Sequence, residues 1–168
     1  MMTPPEKQHQ WLRHLVGEWA IESECIPGPD QPPAKTTATE TVRMLGDLWV
    51  VAEGRGEMPG GGQMSWVMTI GYDTNRKKFV GSWIGSCMTT MFVYEADLDT
   101  DEKRLPLTTS GPSFADPTKI ATYEDIIEIH SPDHRTLTSQ VRNDDGTWTR
   151  FLTAHYRRVR QEPSTTSC

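Results

Sequence analysis

The sequence has 168 residues, a net charge of −6 at pH 7 and a hydrophobic fraction of 35%. A chain of this length can bury a real core, and we expect a single domain over residues 1–168. The acidic balance argues against a surface that follows nucleic-acid phosphates, and no apolar run is long enough for a membrane span or a secretory signal. We therefore expect a cytoplasmic protein with no nucleic-acid or membrane partner.

The chain opens with a helical pattern. Thr3 is a candidate N-cap, two prolines follow it in the first turn, and apolar residues recur at helical spacing as far as Val16. Gly17 ends this pattern, and the period then changes to two, with Trp19 alternating with acidic residues. Because the acids must face water, Trp19 is expected to face a core. We predict a short helix over about residues 4–16.

The rest of the chain reads as short strands separated by turns rich in Pro, Gly, Asn and Asp. With the first strand these runs number about ten, and they lie near residues 36–45, 47–57, 64–72, 78–86, 90–98, 104–110, 119–130, 135–142 and 147–159. No second helical segment interrupts them. This order predicts an all-β fold, an antiparallel up-and-down β-barrel over about residues 17–160 with a disordered tail over about 161–168. A two-sheet sandwich is the alternative.

Gly17, Glu18 and Trp19 form a G-x-W motif on the first strand, and the last strand carries Arg157 and Arg158. This pattern resembles the lipocalin-like, or calycin, arrangement. The resemblance implies that Trp19 closes one end of the barrel and stacks against an arginine of the last strand, for which we choose Arg157 through a cation-π contact.

A wider resemblance covers roughly residues 7–159. It rests on the segments LWVVAEGRGEMPGGG, MTIGYDTNRKKFVGSWIGS, YEADLD, GPSF, YEDIIEI and DHRTLTS, and on DGTW followed by HYRR. Together these segments resemble a bacterial family known as domain of unknown function 1579. The resemblance implies a lipocalin-like barrel and brings no established activity with it.

The motifs of several common sites are missing. The glycine run 60–62 lacks the Lys-Ser/Thr and the helix of a phosphate-binding loop, and no serine lies in a G-x-S-x-G elbow. The five histidines have no metal-ligand spacing. The three cysteines, Cys25, Cys87 and Cys168, have no paired spacing and are read as structural thiols. We predict no metal site, and the cofactor is left unassigned.

Aromatic and methionine residues on the middle strands mark a candidate pocket wall. Such mixtures form adaptable apolar pockets, although small barrels can also fill their interiors with side chains. If Arg157 faces inward, His155 shares that face, and a buried imidazole can be a structural group, a proton carrier or a haem ligand. The candidate ligand-binding residues are Trp66, Met68, Trp83, Met91, Tyr123 and His155.

The sequence thus favours a soluble barrel that binds a small, largely apolar molecule. One alternative is an enzyme in which Glu53, Glu95 or Tyr123 works with His155 as acid or base. The other is a haem-binding barrel with His155 as axial ligand. Apolar residues on both faces of the middle strands, centred on Trp49, also predict a homodimer.

Overall fold

The computed structural model describes residues 2–28 and 30–160, in which ten strands form one closed barrel. Each strand pairs antiparallel with its sequence neighbours, and the first strand pairs with the last. The strands are β1 (Gly17–Cys25), β2 (Ala34–Leu45), β3 (Trp49–Glu57), β4 (Gln63–Asp73), β5 (Lys78–Gly85), β6 (Phe92–Ala96), β7 (Arg104–Pro112), β8 (Ile120–Ser131), β9 (His134–Arg142) and β10 (Trp148–Arg158). The predicted up-and-down barrel is confirmed, and the sandwich alternative is wrong. The predicted tail over 161–168, with Cys168, lies outside the described residues.

The N-terminal helix is shorter than predicted. Helix α1 spans Lys7–Trp11, and a 3₁₀ turn continues it over Leu12–Leu15. Its N-cap is Glu6 rather than Thr3, and the side chains of Glu6 and His9 form a capping box. The later start follows from the two consecutive prolines, because a residue before proline is disfavoured in the helical region. None of the helices in the described part of the chain is long and apolar enough to cross a membrane.

This helical segment plugs one end of the barrel. Leu12 is fully buried, and the ring of Trp11 packs edge-on against Phe79 with centroids 5.8 Å apart. His9 is also buried, and its Nε2 lies 3.0 Å from the carbonyl oxygen of Tyr72. Any interior site must therefore open at the opposite end, where β1 ends and β2 begins.

Trp19 lies just inside the plug and is almost completely buried. Its indole N–H donates a hydrogen bond to the carbonyl oxygen of Leu15 at 2.9 Å. The guanidinium carbons of Arg158 and Arg135 lie 4.4 Å and 4.7 Å from its ring centroid, within the range of cation-π attraction. Trp19 faces inward as predicted, and its partner on the last strand is Arg158, so the choice of Arg157 is wrong.

The error concerns which face of β10 points inward. Ala154 and Tyr156 are buried, whereas His155 and Arg157 are exposed. Adjacent strand residues point to opposite faces, so only one of two consecutive arginines can face the interior. The apolar set that includes Ala154 and Tyr156 takes that face because burying it removes more apolar surface from water. Arg158 lies two residues after Tyr156 and therefore points to the same inner face.

Gly17 is required where the plug meets β1. Its φ of +136° lies in a region that disfavours side chains, and a Cβ there would lie 2.2 Å from Nη1 of Arg158. That same Nη1 donates a hydrogen bond to the carbonyl oxygen of Val16 at 2.5 Å. Gly17 thus allows Arg158 to close over the ring of Trp19.

Several large apolar side chains stay on the outside of the barrel, because the helix covers an end and not a face. The exposed fractions are 55% for Leu45, 39% for Trp49, 45% for Ile84 and 63% for Val93. The homodimer centred on Trp49 stays a prediction.

Replacing Trp19 by Ala should lower the free energy of unfolding by about 3–5 kcal/mol, the usual cost of truncating a large buried aromatic residue. Urea denaturation measures this loss. Trp148→Ala is the matched control, because Trp148 is 38% exposed. Equal losses in the two variants would show that Trp19 does not close the barrel.

Candidate ligand-binding cavity

The interior beyond Trp19 contains a cavity of about 300 Å³. It reaches the loops at the end opposite the helical plug, where Pro59, Met88 and Phe114 lie on its rim. This volume falls at the lower end of the range of about 300–1,000 Å³ that ligand pockets occupy. The barrel is therefore partly open inside and closed at one end.

The predicted pocket residues divide into two groups. Met91 is 58% exposed and lies just before β6, where Phe92 instead faces inward. His155 is exposed on the outer face of β10. Met91 and His155 therefore do not line the cavity, and their prediction as ligand-binding residues is wrong. The residues that do lie on the cavity wall are Trp66, Met68, Trp83 and Tyr123.

Glycines on neighbouring strands allow the aromatic rings to lie against the wall. Gly54 pairs with Trp66 across β3 and β4, and a Cβ at Gly54 would lie 2.1 Å from the indole. The relation is similar for Gly111 and Phe92, where the closest ring atom would be 2.5 Å away. Each ring occupies space that a side chain would otherwise fill. The rings thus cover the wall and leave the centre of the barrel open.

A buried ion pair forms the floor of the cavity. Oε1 of Glu40 accepts a hydrogen bond from Nη2 of Arg135 at 3.0 Å, and Oε2 accepts one from the indole N–H of Trp66 at 2.8 Å. The guanidinium carbon of Arg135 lies 4.0 Å from the ring centroid of Tyr156. Burial and the charge of Glu40 raise the pKa of Tyr156, so its phenol stays neutral. We call Glu40 and Arg135 the floor pair.

A second carboxyl inside the barrel belongs to Asp125, which is half-buried on the cavity wall. Its two oxygens accept hydrogen bonds from the hydroxyls of Tyr94 and Ser139, each at 2.5 Å. Burial raises the pKa of Asp125, and the two hydrogen bonds partly oppose that rise. The hydroxyl of Thr109, on the same wall, is buried and has no partner among the described residues. We call Tyr94, Thr109, Asp125 and Ser139 the wall patch.

His155 takes part in a stack on the outer surface. Its Nδ1 lies 3.0 Å from Nε2 of His134, and the rings of His134 and His130 stack with centroids 4.8 Å apart. It cannot ligate a haem inside the barrel from this position. Glu53 and Glu95 are exposed as well, so the proposed acid-base set with His155 is not assembled. Within residues 2–28 and 30–160, no three His, Cys, Asp or Glu side chains are grouped to hold a metal ion.

The cysteines also lie in different environments. Cys25 is half-buried on the cavity wall, and burial raises the pKa of its thiol. Cys87 is exposed. Both are free thiols.

The family model described as protein of unknown function (DUF1579) matches residues 4–158. The chain belongs to this family. The search of curated proteins found no match.

Solved structures show how widely the architecture of this DUF1579 barrel is shared. The S-type phycobiliprotein lyase CPES from Guillardia theta is 10% identical with a TM-score of 0.63, covering 94% of this chain and 100% of its own. Rv2717c from M. tuberculosis is 16% identical with a TM-score of 0.61 and the same coverage. EF1p2_mFAP2b bound to DFHBI is 12% identical with a TM-score of 0.50, covering 91% of this chain and 100% of its own. At these identities the likeness concerns the fold alone.

Sequence reasoning missed the polar residues of the cavity. Asp125 lies two residues after Tyr123 on β8, so both side chains point to the interior. Arg135 and Leu137 have the same relation on β9. The signal was the strand alternation itself, because a polar residue at an inward position must be buried with partners. Glu40 follows the same rule, because it lies two residues before buried Val42 on β2 and points to the same face.

Replacing Asp125 by Asn should change how stability depends on pH. Because the folded pKa of Asp125 is raised above the unfolded value of about 4, ionisation costs stability as pH rises from about 4 through the folded pKa. The variant lacks this loss, so its free energy of unfolding should rise relative to that of the parent as pH increases. Urea denaturation between about pH 4 and pH 8 measures the difference, and parallel curves would contradict the raised pKa of Asp125.

Proposed function

We propose that this DUF1579 protein binds a small, largely apolar molecule inside its barrel. The observation that carries the proposal is the cavity of about 300 Å³, which is closed by the plug at one end and reaches the loops at the other. Aromatic and methionine side chains make up much of its wall, and its polar groups include Glu40, the wall patch and, nearer the mouth, Ser23, Thr36 and Glu57. Ligand pockets commonly have this composition.

The wall suits a flat apolar body. The rings of Trp66 and Trp83 lie over Gly54 and Gly85, so they present broad faces to the lumen. Met68 is flexible enough to adjust to the outline of a ligand. Burial of apolar surface stabilises the complex, and the polar groups orient the ligand through a few hydrogen bonds.

Entry takes place through the loop end. Phe114 and Met88 lie on the cavity rim with exposed fractions of 62% and 36%. Apolar side chains at such a mouth give an apolar ligand contacts before it leaves water. The barrel of EF1p2_mFAP2b, solved bound to DFHBI, supports a ligand-holding barrel by analogy of fold. Neither the haem alternative nor the acid-base alternative gains support, since both placed His155 inside.

The proposal predicts binding of a neutral, environment-sensitive dye such as 6-propionyl-2-dimethylaminonaphthalene, with a blue-shifted emission. Met68→Glu should abolish that binding, because an unpaired buried charge costs far more than a lost apolar contact. Met91→Glu is the matched control and should bind normally, since Met91 is exposed. Fluorescence titration with far-UV circular dichroism measures binding and folding together. The proposal fails if both variants bind the dye as the parent does.

A second variant tests the shape of the cavity. Gly54→Ala places a methyl group where the Trp66 indole now lies, and the ring must move toward the lumen. The variant should remain folded and bind the dye more weakly by roughly tenfold, a loss of about 1.4 kcal/mol. Gly28→Ala is the control, because its nearest neighbour would be 3.9 Å away. Unchanged affinity in Gly54→Ala would place the dye outside the barrel.

A further inference from the structure

The charges on the cavity wall are unbalanced. Three acidic side chains line the cavity, Glu40, Glu57 and Asp125, and no Lys, Arg or His of the described residues does. Glu40 is neutralised from behind by Arg135. Glu57 is exposed at the mouth, where water solvates its charge. Asp125 is the remaining acid, and it forms no ion pair within residues 2–28 and 30–160.

The surroundings of Asp125 are arranged to accept a positive charge. The hydroxyls of Tyr94 and Ser139 both donate to it, which holds the carboxyl in place and favours its ionised form. Burial acts the other way and favours the neutral form. A cation beside Asp125 would remove this conflict, just as Arg135 does for Glu40 on the cavity floor.

Two further features of the cavity suit an ammonium group. The cavity is lined with aromatic rings, among them Trp66 and Trp83, and the faces of such rings attract cations. The unpartnered hydroxyl of Thr109 can accept an N–H hydrogen bond. Thr109 pairs with Tyr123 across β7 and β8, so it lies diagonally next to Asp125 on the inner face.

We propose that the ligand of this cavity is a small hydrophobic amine, bound as a cation. Its ammonium group pairs with Asp125 and donates to Thr109, while its apolar body lies against the rings of Trp66 and Trp83. This inference rests on the proposed function and adds the charge of the ligand to it. A carboxylate of the same size, such as a short fatty acid, is repelled by the same wall.

Three probes that share one ring system test this charge preference: 2-naphthylmethylamine, 2-naphthalenemethanol and 2-naphthoate. Isothermal titration at pH 7 should show the amine binding at least roughly tenfold more tightly than the alcohol, because the desolvated ion pair with Asp125 forms with the amine alone. The naphthoate should bind most weakly. If the alcohol or the naphthoate binds the parent protein as tightly as the amine, the inference is overturned and the proposed function stands.

Matched variants test which residue causes the preference for the amine. Asp125→Asn keeps the shape and an acceptor for Tyr94, so it should bind the alcohol as before and lose the preference for the amine. Glu57→Gln removes an acid at the mouth and should keep the preference. Thr109→Val should weaken amine binding by roughly threefold to tenfold, the effect of one hydrogen bond. A preference that survives in Asp125→Asn, or that disappears in Glu57→Gln, would overturn the inference.

If the folded parent binds none of the three probes, the proposed function fails and this inference fails with it.

Discussion

The structure depends on how it accommodates the buried guanidinium of Arg135. This group lies close to the rings of Trp19 and Tyr156 and pairs with Glu40, so both its charge and its flat surface find partners. Removing one partner of a buried pair leaves an uncompensated charge and costs about 3–5 kcal/mol. The cluster separates the helical plug on one side from the open lumen on the other. The closed end and the cavity floor are therefore parts of one arrangement.

From that floor outward, packing changes from filled to open. Near the plug, side chains such as Phe79 and Leu105 are fully buried and fill the barrel. Farther along, glycines such as Gly54 and Gly111 allow large rings to lie on the wall, and the lumen stays empty of side chains. An interior of this kind combines dense packing at the base with room at the mouth. This combination supports the ligand-binding function proposed above.

Most of the fold could be predicted from the sequence, whereas much of the site could not. Period-two alternation and turn residues locate every strand, because these signals are local. The site depends on which face each strand presents, and a single wrong partner for Trp19 reversed that assignment for His155. The polar residues Glu40 and Asp125 escaped notice because a lone acid in a strand is usually exposed. Their inward positions are explained by hydrogen-bond partners that are distant in sequence.

The most direct test of this account is a crystal structure of the protein grown with the neutral dye 6-propionyl-2-dimethylaminonaphthalene. The account predicts electron density for the dye inside the barrel, above the floor pair and between the rings of Trp66 and Trp83. A barrel whose interior is filled by collapsed side chains would contradict the central claim. So would dye bound only on the outer face near Trp49.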